Sequence, residues 1–315
     1  MKRILTGLFI GIGMVVAFLL REVNLYFFDV FIGVITLVGA FEVAKLLKKA
    51  GKNNIMIANV IFPAILYLWL IIAVTLKLDL ITILIVSMSI LVGVTLIVYA
   101  LLWMLKARTK VLMEIENYQG TKASFCLSSA MSTAFGFVVP AFLLLIAVLL
   151  NHIEVFSSSL TSLSLFEGLD IGLIVLVAWL GTTIFSDICA FYVGSLIGGK
   201  KLCPKISPNK TISGAIGGIL GSIIFSVLAY LIMSTNYDFA TAMQTLGVNY
   251  FVIVIFAIVA SLFTQMGDLF ISLLKRRASV KDSGSLLPGH GGVMDRCDGL
   301  CFNAVWVLIF FVILL

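Results

Sequence analysis

Charge is what this sequence has least of. Asp, Glu, Lys and Arg make up only 11% of its 315 residues, whereas a soluble domain carries about 25%, so the chain does not read as one. It lacks the alternating ten-residue segments that mark a membrane β-barrel. Its first apolar stretch lacks a convincing small-residue cleavage site, so that stretch is expected to be a retained span and not a removed signal peptide. The five cysteines, Cys126, Cys189, Cys203, Cys297 and Cys301, fall in apolar runs or on the side read below as cytoplasmic and reducing. No disulfide is expected. Cys297 and Cys301, one helical turn apart, read as core-filling thiols and not as a metal pair. No internal repeat relates two halves of the chain, which argues against the paired broken helices of a transporter.

What is present is apolar: 62% of the residues are hydrophobic, and runs of membrane-spanning length recur from end to end. Unpaired backbone polar groups cost several kcal/mol each in hydrocarbon, so spanning segments of this kind must be helices. The fold class is all-α, a polytopic integral membrane protein. The pattern fits nine spans, at about 4–20, 24–44, 55–76, 79–105, 126–150, 170–197, 211–233, 249–274 and 300–315. They form one continuous membrane domain, with N-terminal helices and a surface loop in 1–125 and the chemistry in 126–315.

All of the 21 basic residues but Arg21 and Lys77 fall in five clusters, around residues 2–3, 45–52, 106–122, 200–210 and 275–296. The intervening loops carry Glu22, Asp79, Glu154, Glu167 and Asp238 instead. Basic loops alternating with acidic ones place the amino terminus and the basic loops in the cytoplasm. Residues 106–125, with Glu114 and Glu116 among lysines, read as an amphipathic surface helix drawn to anionic headgroups. Residues 151–166 read as a polar loop on the other side, with His152 solvated. Asp29 and Glu42, near the ends of the second span, are expected to snorkel or pair locally.

Chemistry concentrates between Asp268 and Asp298. Asp268, Asp282, Asp295 and Asp298 supply carboxylates there; Lys275, Arg276, Arg277, Lys281 and Arg296 supply cations. Pro288 to Gly292 (P-G-H-G-G) supplies a turn with bare backbone. Oxygen ligands, cations and glycines together suit a metal-bound polyphosphate, and the oxygen-only set favours Mg²⁺ over Zn²⁺. Before the turn, Ser261, Thr264, Gln265, Asp268, Ser272 and Lys275 form one polar stripe at helical period. In a membrane such a stripe must face protein or a wet cavity. Asp187, embedded in an apolar run near Thr183 and Ser186, is a second intramembrane carboxylate and is expected at a depth like that of Asp268. Asp295 and Asp298, three apart, share a helical face. The Gly214-x3-Gly218 and Gly217-x3-Gly221 spacings read as close helix packing.

The pattern S-x-L-K-R-x4-K-D-x-G-x2-L-P-G-H-G-G-V-x-D-R-x-D, Ser272 to Asp298, resembles the signature of the phosphatidate cytidylyltransferase (CDP-diacylglycerol synthase) family. A second block, Ser186 to Thr211, is similar to that family as well. Cys297, Gly299 and Ser213 depart from its usual residues, the last where a glutamate is common. The resemblance implies that CTP and phosphatidic acid give CDP-diacylglycerol and pyrophosphate, with Mg²⁺ and room for a second cation. It implies Asp268 and Asp295 as metal ligands, supported by Asp298 and Asp187, with Lys275, Arg276 and Lys281 on the CTP phosphates. Ser272, His290, Gly291, Arg296, Ser207, Lys210 and Thr211 would complete the substrate site. The implied partners are CTP, phosphatidic acid and membrane lipids, not nucleic acid; the family also admits a homodimer. A CDP-alcohol phosphotransferase is less favoured, because Asp298-Gly299 continues as Leu300-Cys301-Phe302-Asn303 without that family's alanine-arginine pair.

Overall fold

The structure is a computed structural model. It describes all residues except 1, 53, 106–108, 111–112, 115–118, 120, 140–142, 158–167, 288, 290 and 315. The helices are α1 (Lys2–Val23), α2 (Leu25–Lys49), α3 (Met56–Thr75), α4 (Leu80–Met104), α5 (Lys122–Phe137), α6 (Leu143–Asn151), α7 (Ile153–Ser157), α8 (Ile171–Ile197), α9 (Ile212–Met233), α10 (Tyr237–Thr245), α11 (Tyr250–Arg277) and α12 (Met294–Leu314). Strands β1 (Lys201–Cys203) and β2 (Ser207–Thr211) pair antiparallel between α8 and α9.

Among the described residues, eight helices are long and apolar enough to cross a membrane: α1 to α4, α8, α9, α11 and α12. The protein is a polytopic α-helical membrane protein, as its hydropathy implies. The span expected at 126–150 is described as α5 and α6, which flank residues 140–142. Helix starts follow local chemistry. The side chains of Asp79, Thr121, Asp170, Thr211 and Asn236 each accept a bond from a backbone N–H three residues on, which satisfies a donor the helix itself leaves unpaired. The short helix α10 is an element that hydropathy did not suggest.

The chain forms two compact units. One comprises residues 1–8, 30–145 and 274–294. Within it Ala58 on α3, Val98 and Leu102 on α4, and Cys126 and Ala130 on α5 build a shared core. The Thr133 hydroxyl accepts the Ile55 N–H at 3.0 Å, which ties the start of α3 to α5.

The other unit comprises residues 9–29, 146–273 and 295–315. Its tightest pairing is α8 on α9. A Cβ on Gly214, Gly217, Gly218 or Gly221 would press on Ala190, Val193, Ser186 or Cys189 respectively. In lipid, where apolar burial drives no association, such close backbone approach supplies the packing energy.

This unit also corrects three expectations. Arg21, which lies outside the basic clusters and reads as part of an intervening loop, is 2% exposed and closes α1. Its guanidinium donates to both Asp170 carboxylate oxygens at 2.6 and 2.8 Å and to Asn151 Oδ1 at 2.7 Å. His152, expected to be solvated, is buried and lies 2.7 Å from Asp29 Oδ2. Asp29, expected to pair locally, is held by Asn151 and His152 from far along the chain. The reason is common to all three: a charged group removed from water needs partners wherever the fold can supply them. Local sequence does not show which these are.

Candidate functional site

The site in the second unit is built on a dry junction of three helices. Gly299 on α12 faces the Thr264 and Thr183 methyl groups, and a Cβ there would lie 2.8 and 3.4 Å from them. The indole of Trp179 donates to the Leu300 carbonyl at 3.0 Å. Asn303 donates from Nδ2 to the hydroxyls of Thr182 and Thr183 at 3.0 and 2.8 Å. Gly267 on α11 lies so close to the Asp298 carbonyl that no Cβ fits between them. Ser186 and Ser261 share a hydrogen bond of 2.7 Å, and Gln265 donates to the Ala215 carbonyl at 3.1 Å. The polar stripe of α11 thus faces protein, as its period implies.

This junction decides where the acids fall. Asp187 is one turn beyond Thr183 on α8, Asp268 one turn beyond Thr264 on α11, and Asp295 one turn before Gly299 on α12. Residues four apart stand over one another on a helix. Helices α8 and α11 approach the junction from their N-terminal ends, whereas α12 leaves it, so all three acids lie on the same side of it. The electrostatics agree: Asp187 feels the charges of Asp268, Lys210 and Arg296. Asp187 is exposed, so its carboxylate is open to a ligand.

Asp268 is the centre of the site. Its Oδ2 lies 2.5 Å from the Lys210 ammonium on β2, and its Oδ1 accepts a bond from Ser272 at 3.2 Å. The hairpin therefore acts as an arm that delivers Lys210 to α11. Both partners keep about a third or a quarter of their side-chain surface exposed (32% and 26%), so the pair is reachable from water. Asp298 is turned inward, with Oδ1 on the Gly299 N–H at 2.9 Å. Asp295 is half-buried in the first turn of α12, where a carboxylate is favoured by the helix dipole.

Among the other expected site residues, Thr211 caps α9 through the Gly214 N–H and shares a hydrogen bond with Ser213. Ser213 also donates to the Gly198 carbonyl, so it closes the hairpin at the position where the resembled family commonly has glutamate. Ser207 is half-buried at the start of β2, and Arg296 is exposed. Lys275 and Arg276 close the last turn of α11 and, like Lys281 and Gly291, belong to the first-named unit. There Leu287 and Gly291 exchange backbone hydrogen bonds of 2.9 and 3.1 Å, with Gly291 at φ 86°. This tight reversal is one the sequence implied and glycine permits. His290 lies outside the described residues.

The donor set bears on a cation. Among the described residues, no three His, Cys, Asp or Glu side chains are gathered as a ready cage. Mg²⁺, however, is usually bound by one or two carboxylates with water and substrate phosphates completing the shell. Asp268 with Asp187 close by is such a set, and the Lys210 ammonium already stands as a cation on Asp268. Oxygen-only donors, open to water and already holding a positive charge, fit a hard divalent ion.

Fold and site together define an integral membrane protein with a water-accessible carboxylate–ammonium pair at its helical bundle. The chain belongs to the cytidylyltransferase family, whose model matches residues 1–314. It is 38% identical over 136 residues to a phosphatidate cytidylyltransferase of Helicobacter pylori (43% of this chain, 46% of that protein). It is 42% identical over 127 residues to one of Staphylococcus saprophyticus (40% and 43%), and 37% identical over 153 residues to one of Brucella suis (48% and 52%). The chain spans about half the length of these curated relatives.

Proposed function

We propose that this protein is a phosphatidate cytidylyltransferase. A phosphate oxygen of phosphatidic acid attacks the α-phosphorus of CTP, the bond to the β-phosphate oxygen breaks, and CDP-diacylglycerol and pyrophosphate result. A lipid phosphate is already mostly ionised at neutral pH, its second pKa being about 6, so no strong base is needed. The barrier is the approach of two anions, and preorganised positive charge is what lowers it.

The observation that carries this reading is Asp268 between Lys210 and Ser272, with Asp187 and Arg296 in electrostatic reach. Asp268 and Asp187, with Asp295 and Asp298 on the adjoining helix, would hold Mg²⁺, which when bound supplies positive charge to the phosphates. Ser272 orients Asp268 through its hydroxyl. Lys210 reaches the same site with an ammonium that phosphate oxygens can take. By the family resemblance, Lys275, Arg276, Lys281 and Arg296, together with His290 and Gly291, would bind the CTP phosphates and the departing pyrophosphate. Ser207 and Thr211 would shape the hairpin side of the site. By the distribution of basic residues the site faces the cytoplasm of the cell membrane, where a soluble nucleotide and a bilayer lipid can both reach it.

The test is stoichiometry. Purified protein in phosphatidic acid vesicles should release one pyrophosphate per lipid-soluble cytidine nucleotide formed, only with both substrates and Mg²⁺. Pyrophosphate release without phosphatidic acid would remove the reading.

A further inference from the structure

We infer that Glu42, on α2, is a positioning residue for the site: it holds the glycine-rich loop and the first turn of α12, and so sets where Asp295 stands. The inference rests on the function proposed above. Glu42 is 4% exposed, far along the chain from the segment it serves. Its Oε2 accepts from the Ser283 hydroxyl at 3.0 Å and from the Met294 N–H at 2.9 Å. Its Oε1 accepts from the Val293 N–H at 3.1 Å. One carboxylate thus clamps both ends of the loop, at 283 and at 293–294. The two amides begin α12 and have no partner within that helix, so Glu42 acts as its cap from another helix.

The loop is shaped to this carboxylate. A Cβ on Gly284 would run into Oε1, and a Cβ on Gly292 would meet both oxygens and the Ser283 hydroxyl. This accounts physically for glycine at two positions of the signature: the space belongs to Glu42. Ser283, Val293 and Met294 all donate to it, so the group that fits must accept at both oxygens. Glutamine has nearly the same shape but would turn an NH₂ toward an N–H or O–H. Asp295 directly follows Met294 in the first turn of α12, so a shift of that turn moves the acid. Outer contacts that orient a ligand typically change metal affinity about 10–100-fold when lost.

Glu42→Gln in the full chain, in vesicles, tests this with two readouts. Hydrogen exchange across residues 283–294 should quicken at least tenfold, and the Mg²⁺ needed for half-maximal turnover should rise about tenfold, with the thermal midpoint nearly unchanged. Unchanged exchange, or slower turnover at an unchanged Mg²⁺ requirement, would overturn the inference. If the glutamine variant does not accumulate, Gly292→Ala, which crowds the same carboxylate without removing it, is judged by the same readouts. A wild-type chain that turns over no CTP defeats the proposed function, and slow exchange in 283–294 of Glu42→Gln separately defeats the clamp.

Discussion

Arg21 shows what a buried charge requires in this protein. Its guanidinium is engaged by Asp170 and Asn151, and Asn151 in turn donates to Asp29, which is paired with His152. Arg21→Met removes the head of this chain and leaves its acceptors facing one another. The expected cost is about 3 kcal/mol, at the low end for a broken buried pair because Asp170 keeps solvent on one side. It is checked by the thermal midpoint in detergent. Burial opposes ionisation of Asp170, but the hydrogen bonds from Arg21 and Leu173 N–H and the Arg21 charge outweigh it and hold the carboxyl below its usual range. A depressed folded-state value means that the unfolded chain binds the proton first. The contribution is present above the unfolded value near 4 and is lost as pH falls through the folded one. The difference in thermal midpoint between wild type and Asp170→Asn should therefore be constant from pH 7 to about 5 and shrink below about 4. A constant difference down to acid pH would contradict the assignment. None of this was legible in the sequence, which leaves Arg21 outside the basic clusters, Asp29 near the end of an apolar run and His152 in a polar stretch, and does not show that they find one another.

At the scale of elements, the legible features were those with a period. The polar stripe of α11 and the glycine spacing of α9 follow from one residue every 100° of helix, and both face protein as that geometry requires. The junction of Thr183, Thr264 and Gly299 was not legible, because it is formed between helices and its members are individually ordinary. Nor was Glu42, whose partners lie about 250 residues away. The loop between α8 and α9 read only as a basic cluster; it is a hairpin, and strand pairing is what carries Lys210 to Asp268. Two predictions belong here. Gly267→Ala places a methyl group against the Asp298 carbonyl, so α11 and α12 must part. Overpacking of this kind costs about 1–3 kcal/mol, and turnover should fall more than the thermal midpoint implies, because Asp268 moves with its helix. Lys210→Met leaves the hairpin intact but strips Asp268 of its partner; turnover should fall about 10²-fold or more, with stability little changed.

Across the whole molecule, hydropathy and charge distribution gave the class and the membrane character, and eight long apolar helices among the described residues agree. The resemblance in the second half gave the family, which the match over residues 1–314 establishes. The first half was legible only as spans, yet Glu42 gives it a part in the glycine-rich loop. The proposed chemistry depends on Asp268 being where phosphate charge is managed. The most direct test is transfer of α-³²P from CTP into lipid by vesicles carrying wild-type protein or Asp268→Asn, at equal amounts of folded protein. Transfer should require phosphatidic acid and fall at least about 10²-fold in the variant. Transfer by Asp268→Asn at the wild-type rate would contradict that chemistry.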